Sequence, residues 1–189
     1  LRGSLEDLLA DPAIDAIVLA TPHREHADQM LLCAQAGKHV FVEKPFPVSA
    51  ESAKRAASSL TNAGLVCALG HNRRFLPAMI RLREIISSGA IGQLLHVEAN
   101  ISAPSGGVHP SEHWRNDPTQ APAGGMTALG VHMTDALISL IGPIAEVRTI
   151  SEQRVLRGSI DDVTYLTMRF SDGTTGYMST VFITAKVWF

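Results

Sequence analysis

A chain of 189 residues with 46% hydrophobic content has material for one large domain or two small ones with true cores. Its formal net charge of −2 argues against a general binder of nucleic acid or anionic membrane, and no apolar stretch reaches the ~20 residues a spanning helix needs. The two cysteines, Cys33 and Cys67, have neither metal-ligand spacing nor the density of a disulfide scaffold, so both are expected as free thiols.

Ser4 is placed to cap a short helix, with Asp7 three residues on and Leu5, Leu8 and Leu9 as its apolar side. Ile14 to Ala20 is an apolar run broken by Asp15 and stopped by Thr21-Pro22, which reads as a strand. Ala27, Met30, Leu31 and Ala34 then recur at helical spacing, and Gly37 suits the position just past a helix end. Val40-Phe41-Val42 is too short for a helix and β-branched at two of three places, so it is expected as a strand buried on both faces. It runs into Glu43-Lys44-Pro45, where the proline fixes φ, donates no N–H and biases Lys44 away from helical geometry. A lysine held at the carboxyl end of a parallel strand stands where open sheets bind ligands, and partial desolvation lets it shuttle a proton. A solvated lysine at an ordinary strand end is the plainer alternative. Ser49 is set to cap a second helix with Glu51 in its first turn, a buried stripe of Ala53, Ala56, Ala57 and Leu60, and a stop at Gly64. Leu65 to Leu69 makes a third short strand.

Strand, helix, strand, helix, strand is the signature of consecutive parallel βαβ units. No Gly-x-Gly-x-x-Gly occurs in the sequence, the motif that holds a pyrophosphate at the first strand of a dinucleotide-binding domain. The chain is therefore expected to begin partway through such a domain, and by itself neither to bind dinucleotide tightly nor to turn over substrate.

After Gly70 the character changes. Pro77 suits the first turn of a helix running to Ser88 and closed by Gly89. Leu95, Val97, Ala99 and Ile101 alternate with His96, Glu98 and Asn100, as in a half-buried strand. Residues 102–125 are rich in Pro, Gly, Ser and His without a period, the mark of a long functional or disordered loop. A helix is expected over Met126 to Ile141, stopped by Gly142-Pro143; strands Val163 to Phe170 and Tyr177 to Ile183 then flank a turn at Ser171-Asp172-Gly173-Thr174. The end at Trp188-Phe189 suggests a sheet cut short. The expected fold is α/β: a partial Rossmann-like doubly wound parallel sheet over residues 1–70, then an α/β domain over 71–189 with a mostly antiparallel open sheet.

Residue types alone leave the chemistry open. His132 and Asp135 are three apart on a helix and share a face, either as an acid/base with a carboxylate for a hydroxyl-rich ligand or as a core histidine with its partner. His71-Asn72-Arg73-Arg74 is a basic cluster or a solvated rim. His109 and His113 invite a zinc reading, but the spacing is not His-Glu-x-x-His, Pro110 opposes a regular helix and no third ligand is evident, so no metal is expected.

The order Ala20-Thr21-Pro22, Gly37-Lys38-His39-Val40-Phe41-Val42-Glu43-Lys44-Pro45, Gly70-His71-Asn72-Arg73-Arg74-Phe75, Trp114-Arg115 with Gly124-Gly125, and Gly130-Val131-His132-Met133-Thr134-Asp135 resembles the Gfo/Idh/MocA oxidoreductases over nearly the whole chain. The resemblance implies that Lys44 lies beside the nicotinamide and the reacting carbon, and that His132 is the catalytic histidine. It matches Asp135 to the acidic residue that follows, Arg73 to a cleft-facing substrate residue, and Trp114 and Arg115 to a substrate-side loop. Thr21, Pro22 and His26, with Glu43 and Lys44, match the cofactor side, although His26 could equally be a surface helical residue. One departure stands out: the family's aspartate one turn before the histidine is here Ala128, so the imidazole lacks the carboxylate that would orient it and favour its charged form.

The resemblance thus implies an NAD- or NADP-dependent transfer of hydride to or from a hydroxyl carbon of a sugar, cyclitol or related polyol, by a cytoplasmic homo-oligomer with no nucleic-acid or membrane partner. Two rivals stand beside it: a non-catalytic cofactor or sugar sensor on the same fold, and a nicotinamide-dependent glycosidase.

Overall fold

A computed structural model describes residues 3–46, 49–106, 108–110, 112–156 and 159–185. The chain divides into two units, Leu1–Gly70 and His71–Phe189. Among the described residues no helix is long and apolar enough to cross a membrane.

In the first unit, strands β1 (Ala16–Leu19), β2 (His39–Val42) and β3 (Cys67–Leu69) pair in parallel in that order. Helices α1 (Leu5–Ala10), α2 (His26–Gln35) and α3 (Ala50–Asn62) supply the connections and cover. The local signals act as short-range physics predicts. Ser4 Oγ accepts from Asp7 N at 3.2 Å and Ser49 Oγ from Ser52 N at 3.1 Å. Gly37 follows α2 with φ +69°, a conformation that favours glycine. Met30, Cys33, Val42, Ala56 and Leu60 are fully enclosed and make the centre of the core with Ile17, Leu19 and Val40.

Strand β2 is not buried on both faces. Val40 and Val42 point into this core, but Phe41 is 40% exposed and Val18, its partner on β1, is 71% exposed. The reason is that α2 and α3 pack into one shared cluster, on one side of the sheet, so the strands alternate inside and outside despite their apolar sequence. Cys33, not Leu31, completes the buried stripe of α2, and burial pushes its thiol up to about 11. Cys67 is half-buried and raised for the same reason. Both cysteines are free thiols. Lys38 is also buried: its Nζ donates to the Asp11 and Ile14 carbonyls at 2.9 and 2.7 Å, closing the turn between α1 and β1.

The second unit opens with α4 (Pro77–Ser87), which has its proline at the first turn. Its sheet has the order β4 (His96–Asn100), β7 (Thr175–Val181), β6 (Val163–Phe170), β5 (Ile144–Glu152), with β4–β7 parallel and the other two pairs antiparallel. Helix α5 (Val131–Ile141) buries Leu137 against Leu166, Met168, Phe170 and Met178 on one face of that sheet. The architecture is α/β, a parallel Rossmann-like sheet followed by a mixed sheet with helices. Strand β7 starts two residues earlier than its apolar pattern suggests, because Phe170 N bonds the Thr174 carbonyl at 2.8 Å and closes the hairpin at once.

Two features of this unit differ from a plain reading of the pattern. The helix expected over Met126 to Ile141 begins as a π turn, Met126–Gly130, and becomes α only at Val131. Within the aperiodic stretch Gly125 lies close against Phe182: a Cβ on it would come 2.8 Å from Phe182 Cβ, so glycine is what allows that approach. Ala121, Ile160 and Phe182 form a small core beneath it, joined by Ala128, Leu129 and Leu156. Between β5 and β6, residues 154–156 gather around Asp162, which is 1% exposed. Its carboxylate accepts from Arg154 N at 2.9 Å and from Val155 N and Leu156 N at 2.7 Å each.

Candidate active site

In the first unit the candidate residues meet at the carboxyl ends of the strands, because parallel strands in register (Leu19 beside Val42 beside Leu69) deliver their exits to one edge. The ladder runs one residue past the strands: Glu43 N donates to the Leu19 carbonyl at 2.8 Å and Gly70 N to the Val42 carbonyl at 2.9 Å. Lys44 is the first residue of β2's chain beyond that support and is half-buried. Its N–H donates to its neighbour's Glu43 Oε2 at 3.2 Å, and the Lys44–Pro45 peptide is cis. The Glu43 carboxylate lies over the end of β3, where a Cβ on Gly70 would stand 3.2 Å from it.

Thr21 is gripped by the first turns of α2. Its Oγ1 donates to Gln29 Oε1 at 2.6 Å, and Gln29 Nε2 donates to Glu25 Oε2 at 3.1 Å. His26 does not sit on the surface of its helix. It is 0% exposed, with Nε2 2.9 Å from the Thr21 carbonyl and Nδ1 3.1 Å from the Pro45 carbonyl. The physical reason is that two exiting chains leave carbonyls buried there, and buried carbonyls take a donor.

The second unit gathers His71, Arg74, His132 and Asp135. The turn Asn72–Phe75 brings Arg74 onto Asp135 of α5: Nε donates to Oδ2 at 2.7 Å, and Nη2 donates to Oδ1. This two-pronged contact raises the Arg74 guanidinium further, against the opposing effect of burial. Asp135 is 7% exposed and both of its oxygens accept from Arg74, so it braces α5 to the turn. His71 Nδ1 stands 3.9 Å from Asp135 Oδ2, and its ring meets the His132 ring nearly edge-on, 6.0 Å between centroids. Arg74, which makes the contact, is the neighbour of the arginine that the sequence singled out, Arg73. Ala128 belongs to the π turn and packs with Ile160 and Phe182.

Trp114 and Arg115 form a cluster of their own. The Arg115 Cζ lies 4.2 Å from the Trp114 ring centroid, His113 stacks on the same indole at 5.5 Å, and His109 stacks on His113 at 4.1 Å. Partial burial, with His109 and Arg115 close by, holds the His113 imidazole below its ordinary value. The indole is thus flanked by its own neighbours. Among the described residues no group of three His, Cys, Asp or Glu side chains could hold a metal ion. Lys44 stands in the first unit and His132 in the second.

Known proteins share this arrangement of motifs. Residues 3–71 match the family described as "Oxidoreductase family, NAD-binding Rossmann fold", and residues 79–187 match the "GFO/IDH/MocA C-terminal domain". The chain is 29% identical to the trans-1,2-dihydrobenzene-1,2-diol dehydrogenase of Mus musculus over 174 residues, 92% of this chain and 51% of that protein. It is 38% identical over 90 residues to the scyllo-inositol 2-dehydrogenase (NAD(+)) of Bacillus subtilis (strain 168), 48% of this chain and 26% of that protein. It also superposes on the WlbA dehydrogenase from Bordetella pertussis, solved in complex with NADH and UDP-GlcNAcA. That match has a TM-score of 0.87 and 28% identity, and covers 97% of this chain and 53% of that one. The chain therefore spans about half the length of the relatives that it matches from end to end.

Proposed function

Because the chain belongs to the Gfo/Idh/MocA oxidoreductase family, we propose that the full-length protein moves a hydride between NAD or NADP and a hydroxyl-bearing carbon of a sugar, cyclitol or related polyol. The observation that carries this reading is the place of Lys44, one residue past the last ladder bond at the ligand-binding edge of a parallel sheet. The relatives support the substrate class: their names specify a cyclic diol and an inositol, and the solved dehydrogenase holds a nucleotide sugar.

The residues present fit a nicotinamide cofactor. At Gly70 the strand end carries no side chain, and the space a Cβ would need lies against the Glu43 carboxylate. A side chain at Gly70 would crowd that carboxylate, so glycine keeps the β3 exit open for a flat ring and its ribose. Thr21, Pro22, Glu43 and Lys44 are the residues that would hold the cofactor, which when bound gives or takes the hydride. Lys44 takes the hydroxyl proton as the carbinol C–H bond breaks and returns it in the reverse direction. His132 is the second proton site, braced indirectly through Asp135 and Arg74. Arg73 and Arg115 bind the substrate's hydroxyls, and Trp114 offers an aromatic face to its ring. The outer face of the second unit's sheet, with Ile150 and Tyr165 exposed, is the surface on which a second copy would pack; sedimentation at micromolar concentration checks it, and a monomer there would refute it.

The sensor reading has one observation in its favour, a methyl group at Ala128 packed on Phe182 where a carboxylate would serve His132. Reduced-cofactor formation across a panel of cyclitols, aldoses and cyclic diols decides. Sustained turnover is the expected result. Ligand-induced quenching of bound reduced cofactor without turnover would favour the sensor, and glycoside cleavage without net reduction would favour a nicotinamide-dependent glycosidase.

A further inference from the structure

The mechanism above leaves His26 without a part, yet the ring is fully enclosed and reaches carbonyls from two separate strand exits. Parallel pairing holds the β2 exit only as far as Glu43, whose N–H is the last to enter the ladder. Pro45 has no N–H to give, so the carbonyl is the group through which the backbone after Lys44 can be fastened. His26 Nδ1 faces that carbonyl at 3.1 Å. On its other side Nε2 faces the Thr21 carbonyl at 2.9 Å, and the Thr21 side chain is tied back to the same helix through Gln29 and Glu25. Helix α2 is itself seated in the core by Met30 and Cys33. The path runs from packed core to helix, from helix to imidazole, and from imidazole to the peptide that follows Lys44.

We propose that His26 is a positioning residue for Lys44, acting through its Nδ1 contact with the Pro45 carbonyl. The inference rests on the reading of Lys44 as the proton-transfer residue. It differs from a role in merely closing the core, because the two ring nitrogens face different strand exits. Carbonyl oxygens only accept and a neutral imidazole carries one N–H, so the role requires the tautomer that donates from Nδ1 to the Pro45 carbonyl. A proton on Nε2 would instead fasten the Thr21 carbonyl at the β1 exit and leave the Lys44 side unheld.

The two contacts can be separated by side-chain amides. An asparagine nitrogen falls near the place of Nδ1, and a glutamine nitrogen near the place of Nε2. In the full-length protein His26→Asn is expected to keep kcat within about fivefold of the parent, whereas His26→Gln lowers it about 10- to 100-fold, the scale of a reacting group misplaced by about 1 Å. Substrate KM should move less than about threefold in both. Amide hydrogen exchange gives a readout that needs no turnover: His26→Gln should speed exchange at Lys44 and Phe46 and leave Cys67–Leu69 protected, and His26→Asn should do neither. Asn and Gln variants alike in kcat and in exchange would overturn the proposal, as would a lowered Tm with the exchange pattern unchanged. If Lys44→Met keeps full turnover, the proposed chemistry falls, and the exchange pattern still decides whether His26 fixes the strand exit.

Discussion

Replacing Lys44 by methionine in the full-length protein is expected to lower kcat by about 10²- to 10⁴-fold, the range a positioned proton donor or acceptor supplies. Affinity for NAD or NADP should stay within about threefold of the parent, because Thr21, Pro22 and Glu43 would still hold the cofactor and the Lys44 ammonium acts mainly in the transition state. Methionine keeps the length and the apolar stem of lysine and removes the ammonium, so packing at the half-buried strand exit is preserved. The backbone there is fixed by elements that do not involve the Lys44 side chain: the Glu43 ladder bond and the His26 contact to Pro45. Initial rates with one active polyol, alongside calorimetric titration with each dinucleotide, measure both quantities. A variant that keeps most of its rate would make Lys44 a structural residue.

Asp162→Ala should destabilise the second unit by about 3 kcal/mol. Three backbone N–H groups, from Arg154, Val155 and Leu156, lose a charged acceptor that is 1% exposed, and each hydrogen bond to a charged group is worth about 1.5–3 kcal/mol net, with some recovered by water entering the loop. Leu156 would then lose its hold on the cluster with Ile160 and Phe182, on which Ala128 and Leu129 also pack. The contribution is pH-dependent. Burial alone would raise the Asp162 carboxyl, but the backbone donors overcome it and hold the group below its ordinary value of 3.8. A carboxyl lowered in the folded state stabilises fully above its unfolded value, and the stabilisation is lost as pH falls through the folded one. Urea unfolding should therefore show the gap between the parent and Asp162→Asn constant from pH 7 down to about pH 4 and shrinking below that. A gap independent of pH, or a loss under about 0.5 kcal/mol in Asp162→Ala, would refute this account.

What could be read from the sequence was what is decided within a few residues. The Ser4 and Ser49 caps, the proline opening α4 and the succession of strands and helices in the first unit depend on local hydrogen bonds and on period. Which face of β2 is covered does not, since that depends on both helices lying on one side, and Phe41 was misplaced for that reason. The Arg73-Arg74 pair falls within a single tight turn, where spacing cannot say which guanidinium swings toward α5. For His26 the sequence does carry a signal: a proline after Lys44 leaves a carbonyl in need of a donor, and a histidine in the first turn of the preceding helix is a natural one. Ala128 reads as a missing carboxylate because the family resemblance places an aspartate one turn before His132. Only the fold reveals that it packs against the cluster of Ala121, Ile160 and Phe182, so an aspartate there would have to be accommodated beside apolar side chains.

The wide turn at Met126–Gly130 bears on how such a chain tolerates insertion and deletion. A π turn bonds i to i+5, and so takes up about one residue more than the α turn it replaces. Loss of a single codon within those five positions would relax the turn to α geometry and leave Leu137 still facing Leu166 and Phe170. The same loss inside Val131–Ile141 would rotate every residue before it by about 100° relative to those after it, carrying His132 and Asp135 out of register with the apolar stripe that seats the helix. The turn thus gives this helical segment slack in its reading frame, and it lies immediately ahead of the histidine.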